Sequence, residues 1–433
     1  MKGGMRRILN LGLYDGRRHL YSLRRLDLLK INFFHPTAEQ VAAHGKVLPT
    51  VLTPAEANTT RISGTNLAAA APKIDPPKTE LVIRPPQLDY SMWNHHTVYF
   101  LPTASESKVV IADRGNRMLR FDVVDGTRCI DTLPWLNGPK VMPMAISVPP
   151  TDVHIHDGED TGDLYIIDGL LYPHLAEERP QFEALVWRGI RPTRHRFWHC
   201  DILPLPPWIT HRKRAFVHSH ALVGDTICFS ISGTEGASTY RSSNSAGVEG
   251  AGTYCFHIET REWSKAGEWL MPFHGKADYV PELGLWFGIS LQGNLPCAAD
   301  LSGVVTGEEP SPEKMRIWAR DDLPDEWQPD ILFRSKVASL GSGRFILMDM
   351  LGTIASASRK EFTLFTGIEV AFSNGSKGKG NSGTDGSGNE SGSGDDSENG
   401  GKGKAGTMCG LRMIKHKSGR YMYNRQLEIQ AVF

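Results

Sequence analysis

The amino-acid sequence predicts an all-β fold, a β-propeller-like array of antiparallel meanders. Three observations support this prediction. Short runs in which apolar and polar residues alternate are separated by Gly, Asn and Asp turn signals along most of the chain. Helical periodicity is confined to HPTAEQVAAHGK, where Thr37 is placed to cap a short helix containing Ala38 to Ala43. A weak internal repeat recurs along the chain, which is typical of propellers.

The predicted strands begin close to the first residue. RRILNLGL and HLYSLRRLDL flank YDGRR and form a hairpin, because Asp-Gly between two alternating runs favours a tight turn. Three-stranded meanders are predicted at 108–133 and 276–301, and two strands surround Gly224 and Asp225. The remaining strands are DLYIIDGLLY, the hairpin KVASL-GSGR-FILMDM with turn glycines Gly341 and Gly343, FTLFTGIEVAF, and MIKH and YMYNRQLEIQAVF around a turn at KSGR.

The internal repeat joins three segments, Arg120–Pro134, Phe182–Pro206 and Cys255–Pro272. Each combines an aromatic-centred strand, a polar turn and a second strand, and DEWQPDILF is expected to supply the second strand of a fourth copy. The matched positions, 70, 65 and 64 residues apart, are Arg128, Trp198, Trp263 and Trp327. Large aromatic side chains at such positions would fill the wedge between adjacent blades. A β-sandwich with a satellite sheet is the alternative architecture.

The composition divides the chain into three parts. Residues 1–45 form the N-terminal hairpin and short helix, residues 46–88 a Pro-rich linker or irregular segment, and residues 89–433 the propeller-like domain. Within this domain, residues 373–407 consist of Gly, Ser, Asn and mixed charges. They cannot bury enough apolar surface to offset the entropy of ordering, so we predict a disordered insertion between two strands.

The charges exclude some partners. With 48 basic and 48 acidic residues, the net charge is zero, so nucleic acid is not a favoured partner. No apolar run approaches the roughly 20 residues that span a bilayer, so no membrane association is predicted. No oligomeric state follows from these features.

The cysteines and the start of the chain predict a compartment. Six scattered cysteines form no C-x-x-C pair, and the start of the chain has no secretory pattern, so we expect reduced thiols and an intracellular, cytoplasmic or nuclear location. Residues 1–30 are rich in Arg, which leaves an organellar transit peptide as an alternative to the hairpin.

Several segments together resemble a known family. The opening MRRILNLGL with YSLRRLD and FFHPTAEQVAA, the block from Gly252 to Gly288, LGSGRF and LRMIKHKSGRYMYN look like members of an expanded cereal-plant family. These proteins are close to those with the domain of unknown function sixteen-eighteen, often described as kelch-like. The resemblance implies a propeller-like fold and supplies no reaction and no catalytic residues. Some plant kelch proteins carry an F-box helix bundle, which the start of this chain does not resemble.

Histidines and acids supply the candidates for an enzyme or metal site. His218 and His220, and likewise His154 and His156, are two residues apart and would face the same way on a strand. Neither pair is part of a closed set of four ligands, so exposed or hydrogen-bonded strand histidines are the favoured interpretation. The acids of DVHIHDGEDTGD do not match a calcium loop and are expected in a solvated loop. We therefore predict no metal and no cofactor.

Aromatic and basic stretches offer candidate binding surfaces. RPTRHRFWHC and THRKRAFVH form the strongest local positive patch, which we interpret as a core aromatic, Trp198, beside a solvated basic loop. A ligand platform of Trp263, Trp269, Trp286 and Phe287 is less favoured than packing between blades. Trp286 is expected to face away from Leu285, Phe287 and Ile289.

The sequence lacks a G-x-S-x-G elbow and a Walker loop, so no catalytic motif supports an enzyme. The favoured function is a non-enzymatic interaction scaffold that binds a protein or peptide. The alternative is a small-molecule or metal-dependent enzyme with its site in the central channel, whose candidate residues would be Asp152, His154, Asp168, His218 and His220.

Overall fold

The computed structural model describes most of the chain in fifteen stretches. These are residues 5–51, 71–85, 97–124, 126–149, 162–189, 196–210, 212, 214–233, 251–291, 293–319, 327–329, 335–353, 361–372, 410–423 and 427–433. The predicted insertion at 373–407 lies outside them. The described strands form five hydrogen-bonded sheets. The ten-stranded one divides at a short parallel pairing into two antiparallel parts, which gives six antiparallel sheets, numbered I to VI.

Sheet I joins the two ends of the chain. Its strands, in spatial order, are β28 (Leu427–Val432), β1 (Ile8–Asp15), β2 (Leu20–Asp27) and β5 (Thr79–Ile83). The predicted hairpin is confirmed as β1 and β2, in which Asp15 accepts hydrogen bonds from the turn amides of Arg17 and Arg18. On its other edge β1 pairs with β28, so that Leu11 lies opposite Val432.

Sheets II and III are four-stranded meanders. Sheet II consists of β6 (Val98–Pro102), β7 (Val109–Asp113), β8 (Met118–Val124) and β9 (Thr127–Leu133). Sheet III consists of β10 (Pro143–Val148), β11 (Asp163–Asp168), β13 (Phe182–Gly189) and β14 (Arg196–Ile202). The two-residue strand β12 (Leu170–Leu171) follows β11 in the chain but pairs with the first strand of sheet IV.

Sheets IV and V are joined along their first strands. Sheet IV consists of β15 (Ala215–Val223), β16 (Thr226–Gly233), β17 (Gly252–His257) and β18 (Trp263–Gly267). Sheet V consists of β19 (Phe273–Val280), β20 (Leu285–Ser290), β21 (Pro296–Ala299) and β22 (Met315–Trp318), with β4 (Thr50–Val51) at its outer edge. A short parallel pairing between β15 and β19 connects the two sheets.

Sheet VI contains the longest strands. It consists of β24 (Lys336–Gly341) and β23 (Trp327–Pro329), both paired with β25 (Arg344–Thr353), followed by β26 (Glu361–Phe372), β27 (Leu411–Tyr423) and β3 (Lys46–Leu48). Gly341 and Gly343 have φ of +86° and +69°, which confirms them as turn glycines.

The predicted turn at KSGR is wrong, because β27 continues through Lys417 to Arg420 and, apart from a register shift at Gly367, stays paired with β26. Gly419 serves close packing instead of a turn. A Cβ atom there would lie 2.7 Å from Cδ1 of Ile74, and a Cβ atom on Gly367 of β26 would lie 2.5 Å from the carbonyl oxygen of Phe33. The two glycines therefore let Phe33 and Ile74 lie against sheet VI.

Six hydrophobic cores connect the six sheets in a cycle. Each core contains residues from two consecutive sheets, and one of them contains residues from sheets VI and I. Contacts between strands of neighbouring sheets form the same cycle: β28 contacts β6, β6 contacts β10, β10 contacts β15, and β24 contacts both β20 and β28. Each sheet thus buries both faces against its neighbours, which is the packing of a β-propeller-like ring.

The segments between strands leave this ring at two opposite ends. The second and fourth strands of a meander run in the same direction and therefore end on the same side of the ring. The connection between the second and third strands, and the connection from the fourth strand to the next sheet, both lie on that side. We call the part of this end formed by residues 134–142, 169–181 and 203–214 the linker face. Residues 211 and 213 within it lie outside the described stretches.

Elements of the N-terminal third contribute to several sheets. The helix α1 (Ala38–His44) is confirmed, with Thr37 Oγ1 accepting the amide hydrogen bond of Gln40. In the segment that we expected to be a linker, at 46–88, the described residues include β3, β4 and β5, which pair in sheets VI, V and I. These pairings attach the segment to the ring.

Candidate functional site

Asp168 is the candidate residue that the structure places at the linker face. It ends β11, the second strand of sheet III, and its side chain is fully buried. Asp15 and Asp113 end the second strands of sheets I and II in the same way. The Asp113 carboxylate accepts a hydrogen bond from the backbone amide of Arg117 at 3.0 Å. The Asp168 carboxylate instead accepts one from the backbone amide of Val141. Asp at the end of each of these strands is a repeat signal that the sequence analysis missed.

Glu183 of β13 is the centre of a buried cluster beside Asp168. Its carboxylate accepts hydrogen bonds from the backbone amides of Asn137 and Gly138, at 2.7 and 3.2 Å, and from the Asn137 side chain at 2.8 Å. The thiol of Cys200 donates to the same carboxylate at 3.2 Å. Glu183 thereby binds the segment between sheets II and III to the body of sheet III.

Two basic side chains complete the cluster. Lys140, only 2% exposed, forms an ion pair with Glu183 and donates to the carbonyl oxygens of Gly138 and Pro180, both at 2.9 Å. Arg179 lies 3.4 Å from Asp168 and donates two hydrogen bonds to the carbonyl oxygen of Pro139. Glu183 and the two carbonyl oxygens use all three donor hydrogens of the Lys140 ammonium group, so Lys140 cannot bind a further ligand. We call Asn137, Lys140, Asp168, Arg179, Glu183 and Cys200 the linker lock.

Burial sets the protonation of the linker lock. Desolvation raises the pKa of Asp168 to about 7, in spite of Lys140, the Val141 amide and Arg179. Desolvation acts in the same direction on Glu183, but Lys140 and the Asn137 hydrogen bonds outweigh it and lower the pKa of that carboxyl. Burial and the Glu183 carboxylate raise the pKa of Cys200 to about 12. Cys200 is therefore a protonated thiol, which is a poor nucleophile, and the linker lock is suited to holding a loop.

The linker face also carries exposed aromatic side chains. Trp135, two residues before Asn137, is 66% exposed. Its neighbour Leu136 is buried and donates its amide hydrogen to the carbonyl of Asn116 at 2.9 Å. Trp208 is 38% exposed and stacks on Tyr254 with ring centroids 5.8 Å apart. Trp135 lies in the segment LPWLNG between two strands, a loop aromatic that could have been noticed from the sequence.

Tyr172 adds a basic neighbour to the same face. The guanidinium of Arg214 lies 5.8 Å from its ring centroid. The backbone of Tyr172 is held by Gln181, whose side chain accepts from the Tyr172 amide and donates to its carbonyl oxygen at 2.8 Å. The linker face thus presents aromatic rings on a backbone that is hydrogen-bonded from several sides.

The expectation that His218 and His220 face the same way is wrong. A β-bulge lies between Val217 and Ser219, so His218 is an extra residue opposite β16. His218 forms a hydrogen bond with Ser232 at 2.6 Å. His220 lies opposite Phe229, which belongs to the core between sheets III and IV, on the other face of sheet IV from Ser232.

His220 is a buried side chain. It is 4% exposed, and burial together with the nearby charge of Lys276 lowers its pKa to about 3. The two histidines therefore do not converge on one ligand. Among the described residues, His, Cys, Asp and Glu form no group of three that could hold a metal ion. Asp152, His154 and His156 lie outside the described residues, as do Asp157, Glu159 and Asp160.

The tryptophans of the repeat lie between sheets. Trp263 contacts Phe182 of sheet III and donates its indole hydrogen to the carbonyl of Pro204 at 2.9 Å. Trp198 packs against the core between sheets II and III, 5.3 Å from Trp187. Both positions confirm the predicted packing between blades. Arg128, the matched position in sheet II, instead forms an ion pair with Glu80 of sheet I at 2.7 Å.

The fourth copy of the repeat was placed wrongly. Trp327 belongs to β23, which pairs within sheet VI. The fourth strand of sheet V is β22, where Trp318 is fully buried. The side-chain alternation predicted for β20 is confirmed. Trp286 faces sheet IV and donates to the carbonyl of Leu222, whereas Phe287 faces sheet VI.

The basic stretch is only partly described, since His195, His211 and Lys213 lie outside the described residues. Phe197 is 51% exposed on β14, while Trp198 beside it is packed. This agrees with the interpretation of a core aromatic next to polar surface. In the part of the chain that the structure covers, no helix is long and apolar enough to cross a membrane.

Comparison with known proteins identifies a family. The family model "Protein of unknown function (DUF1668)" matches residues 6–421. The expected domain of unknown function is thereby confirmed, although its number is 1668 and not the expected sixteen-eighteen. No curated protein matches the sequence.

Three solved structures illustrate the structural similarity. TolB from Acinetobacter baumannii has 12% identity and a TM-score of 0.22 over 73% of this chain, which spans 64% of the TolB chain. The WD40 domain of SCAP from fission yeast has 10% identity and a TM-score of 0.29, over 84% of this chain and 82% of that one. Citrobacter koseri AztD has 9% identity and a TM-score of 0.27, over 84% and 92%. At these TM-scores the likenesses carry no functional argument.

Proposed function

Since this chain belongs to the DUF1668 family, whose description assigns no reaction, we propose from its own surface that it is a non-enzymatic protein-interaction scaffold of propeller type. Its partner would be a protein or a peptide that binds to the linker face. The observation that carries the proposal is the exposed indole of Trp135, on a segment held by buried hydrogen bonds.

An exposed tryptophan on a rigid segment is well suited to protein recognition. Trp is among the residues most enriched at the energetic centres of protein interfaces. Because Leu136 and Asn137 are hydrogen-bonded, little conformational entropy remains to be lost when a partner covers Trp135. Trp208 and Tyr172 enlarge the aromatic surface on the same face, and Arg214 beside Tyr172 can pair with an acidic group of the partner.

The buried candidates favour a scaffold over an enzyme in the central channel. Asp168 is enclosed in the linker lock, and His220 is buried in sheet IV on the opposite face from His218 and its partner Ser232. A catalytic group has to reach its substrate at hydrogen-bonding distance. The structural role of the linker lock accounts for Asp168, Lys140 and Glu183 without a reaction.

The resemblance to a kelch-like cereal-plant family and the charge balance complete the proposal. They support a kelch-like protein that acts inside the cell, in the cytoplasm or nucleus, without binding nucleic acid or membrane. We propose that the loop insertion at 373–407 acts as a spacing or regulatory element for the same interaction.

The test compares two surface variants of the full chain. Trp135→Ala removes an exposed aromatic side chain of the linker face, and Leu29→Ala removes an equally exposed apolar side chain, 65% exposed, from the opposite end of the ring. Each protein is used for quantitative affinity purification from extracts of its source tissue. Binding of each recovered candidate is then measured with purified components by calorimetry.

We expect to recover a partner that binds the wild type and Leu29→Ala with the same affinity and Trp135→Ala at least tenfold more weakly. All three proteins should unfold at the same temperature. Loss of one central Trp contact of 2 kcal/mol or more corresponds to roughly thirtyfold in affinity. Equal binding by Trp135→Ala and wild type would refute the linker face as the interaction site.

A further inference from the structure

Cys228 and Cys255 face each other in the core between sheets IV and V. They are directly opposite residues of β16 and β17, and their Sγ atoms are 3.3 Å apart. Their exposures are 0% and 2%. No motif in the sequence points to this pair, because the two cysteines are 27 residues apart and only the strand register brings them together.

The geometry is suitable for a covalent bond between the two sulfurs. Directly opposite residues of an antiparallel pair have Cα atoms about 4.5 to 5.5 Å apart, which lies within the range of about 4.4 to 6.8 Å found for disulfides. Both side chains already point to the same face of sheet IV, into the same core. A small side-chain rotation is then enough to bring the sulfurs from 3.3 Å to a bond length of about 2.05 Å.

We propose that Cys228 and Cys255 form an oxidation site, at which hydrogen peroxide or a similarly small peroxide converts the two thiols into a cross-strand disulfide. In the first step the Cys255 sulfur attacks one peroxide oxygen, the O–O bond breaks, and Cys255 becomes a sulfenic acid with release of water. In the second step the Cys228 sulfur attacks the Cys255 sulfur, loses its proton and displaces the hydroxyl as a second water. Two thiols and one peroxide thus give one disulfide and two waters.

Either thiol can donate the hydrogen bond between the two sulfurs. When Cys228 is the donor, the bond lowers the pKa of Cys255, although burial opposes this. The same bond, together with burial, raises the pKa of Cys228. With Cys228 as the donor, Cys255 reacts with peroxide first and Cys228 is the resolving thiol; with the donor reversed the two roles are exchanged, and the disulfide that results is the same.

None of the other described cysteines forms a hydrogen bond with a second sulfur. Cys297, on β21 of the same core, donates to the carbonyl oxygen of Ala298 at 3.8 Å, and Cys200 donates to Glu183. Burial raises the pKa of Cys297 and of Cys200. Cys297 is therefore the matched control, a buried thiol in the same core that should stay reduced.

The disulfide would add a covalent bond between two strands of sheet IV. It ties the second strand to the third, on either side of residues 234–250, and closes that part of the chain into a loop. A closed loop restricts the unfolded chain more than the folded one, so the oxidised protein should unfold at a higher temperature than the reduced protein.

The experiment treats the purified full chain with hydrogen peroxide, blocks remaining thiols with N-ethylmaleimide in guanidinium, and maps peptides without reduction by mass spectrometry. We expect a cross-linked peptide pair containing Cys228 and Cys255, lighter by two hydrogen atoms, while Cys297 is alkylated. Cys297→Ser should give the same cross-link. In Cys228→Ser, dimedone should label Cys255, since the resolving thiol is gone.

Three results would overturn the proposal. They are full alkylation of both Cys228 and Cys255 after peroxide treatment, oxidation of Cys255 in the wild type to sulfinic or sulfonic acid without a cross-link, and a cross-link to a different cysteine. If Cys228→Ser fails to fold, as judged by circular dichroism, the peptide map of the wild type and of Cys297→Ser still decides.

Discussion

The indole of Trp263 in sheet IV packs against the ring of Phe182 in sheet III, with ring centroids 5.8 Å apart. The same indole contacts Phe229 and Phe256 of its own sheet at 5.7 and 5.1 Å. Its Nε1 hydrogen is donated to Pro204, in the segment that links sheets III and IV. One side chain thus joins two consecutive sheets and the segment between them.

Replacing Trp263 should therefore destabilise the ring. We expect Trp263→Ala to lower the free energy of unfolding by about 3 kcal/mol, because a large aromatic side chain leaves a cavity at the seam. Trp263→Phe should recover part of this loss. Trp135→Ala, the same change at an exposed position, should cost less than about 0.5 kcal/mol. Urea denaturation of the three variants checks the prediction, and equal stability of Trp263→Ala and Trp135→Ala would contradict it.

The buried ion pair between Lys140 and Glu183 should show strong coupling. Glu183→Gln leaves the ammonium of Lys140, which is 2% exposed, without its counter-charge, so we expect a loss of about 3 kcal/mol in unfolding free energy. Lys140→Met in the Glu183→Gln background should restore part of it. A double-mutant cycle by chemical denaturation measures the coupling. Strictly additive losses would mean that the pair does not act as a unit.

Asp168 should make stability depend on pH. Burial raises its pKa from 3.8 to about 7, so the folded state binds the proton more tightly than the unfolded state. Its stabilising contribution is therefore complete below about pH 4 and is lost as the pH rises through 7. Asp168→Asn cannot ionise and lacks this dependence.

The difference in unfolding free energy between the wild type and Asp168→Asn, measured from pH 4 to pH 8, isolates this group from other titrating residues. The difference should shift against the wild type as the pH rises. A pH-independent difference, or one that shifts in favour of the wild type, would show that Asp168 remains ionised in the folded state.

Gly367 should be intolerant of a side chain. A Cβ atom there would lie 2.5 Å from the carbonyl oxygen of Phe33, a backbone atom that cannot rotate away. We expect Gly367→Ala to cost about 2 to 3 kcal/mol. Gly126→Ala is the control. Gly126 has φ of +80° but no neighbour within 4 Å, so strain alone should cost about 1 kcal/mol there. Thermal and urea unfolding compare the two, and a smaller loss at Gly367 than at Gly126 would contradict the close approach.

Local patterns predicted individual elements well and failed where two distant segments meet. The alternation in LWFGIS correctly separated Phe287 from Trp286, because side chains of a strand point to its two faces in turn. The same rule failed for His218 and His220, since a single extra residue in β15 reverses the alternation. KSGR has the composition of a turn, but Gly419 is needed for packing against Ile74.

The candidate site was predictable only in part. Asp168 was a candidate, but its neighbours Lys140, Arg179 and Glu183 come from three different segments and share no spacing pattern. The role of Trp135 depends on the burial of Leu136 and on the hydrogen bonds of Asn137. Neither property is visible before the linker is placed against sheet III.

The sequence by itself determined the all-β class, most strand positions, the turn glycines, the capped helix and the two tryptophans between sheets. These depend on turn chemistry, capping and a side-chain period of two, all of which act over a few residues. The tertiary structure alone decided that β28 pairs with β1, that the six cores form a cycle, and that Cys228 meets Cys255. Such contacts join residues far apart in the chain, and only the combined burial of many side chains selects them over other pairings.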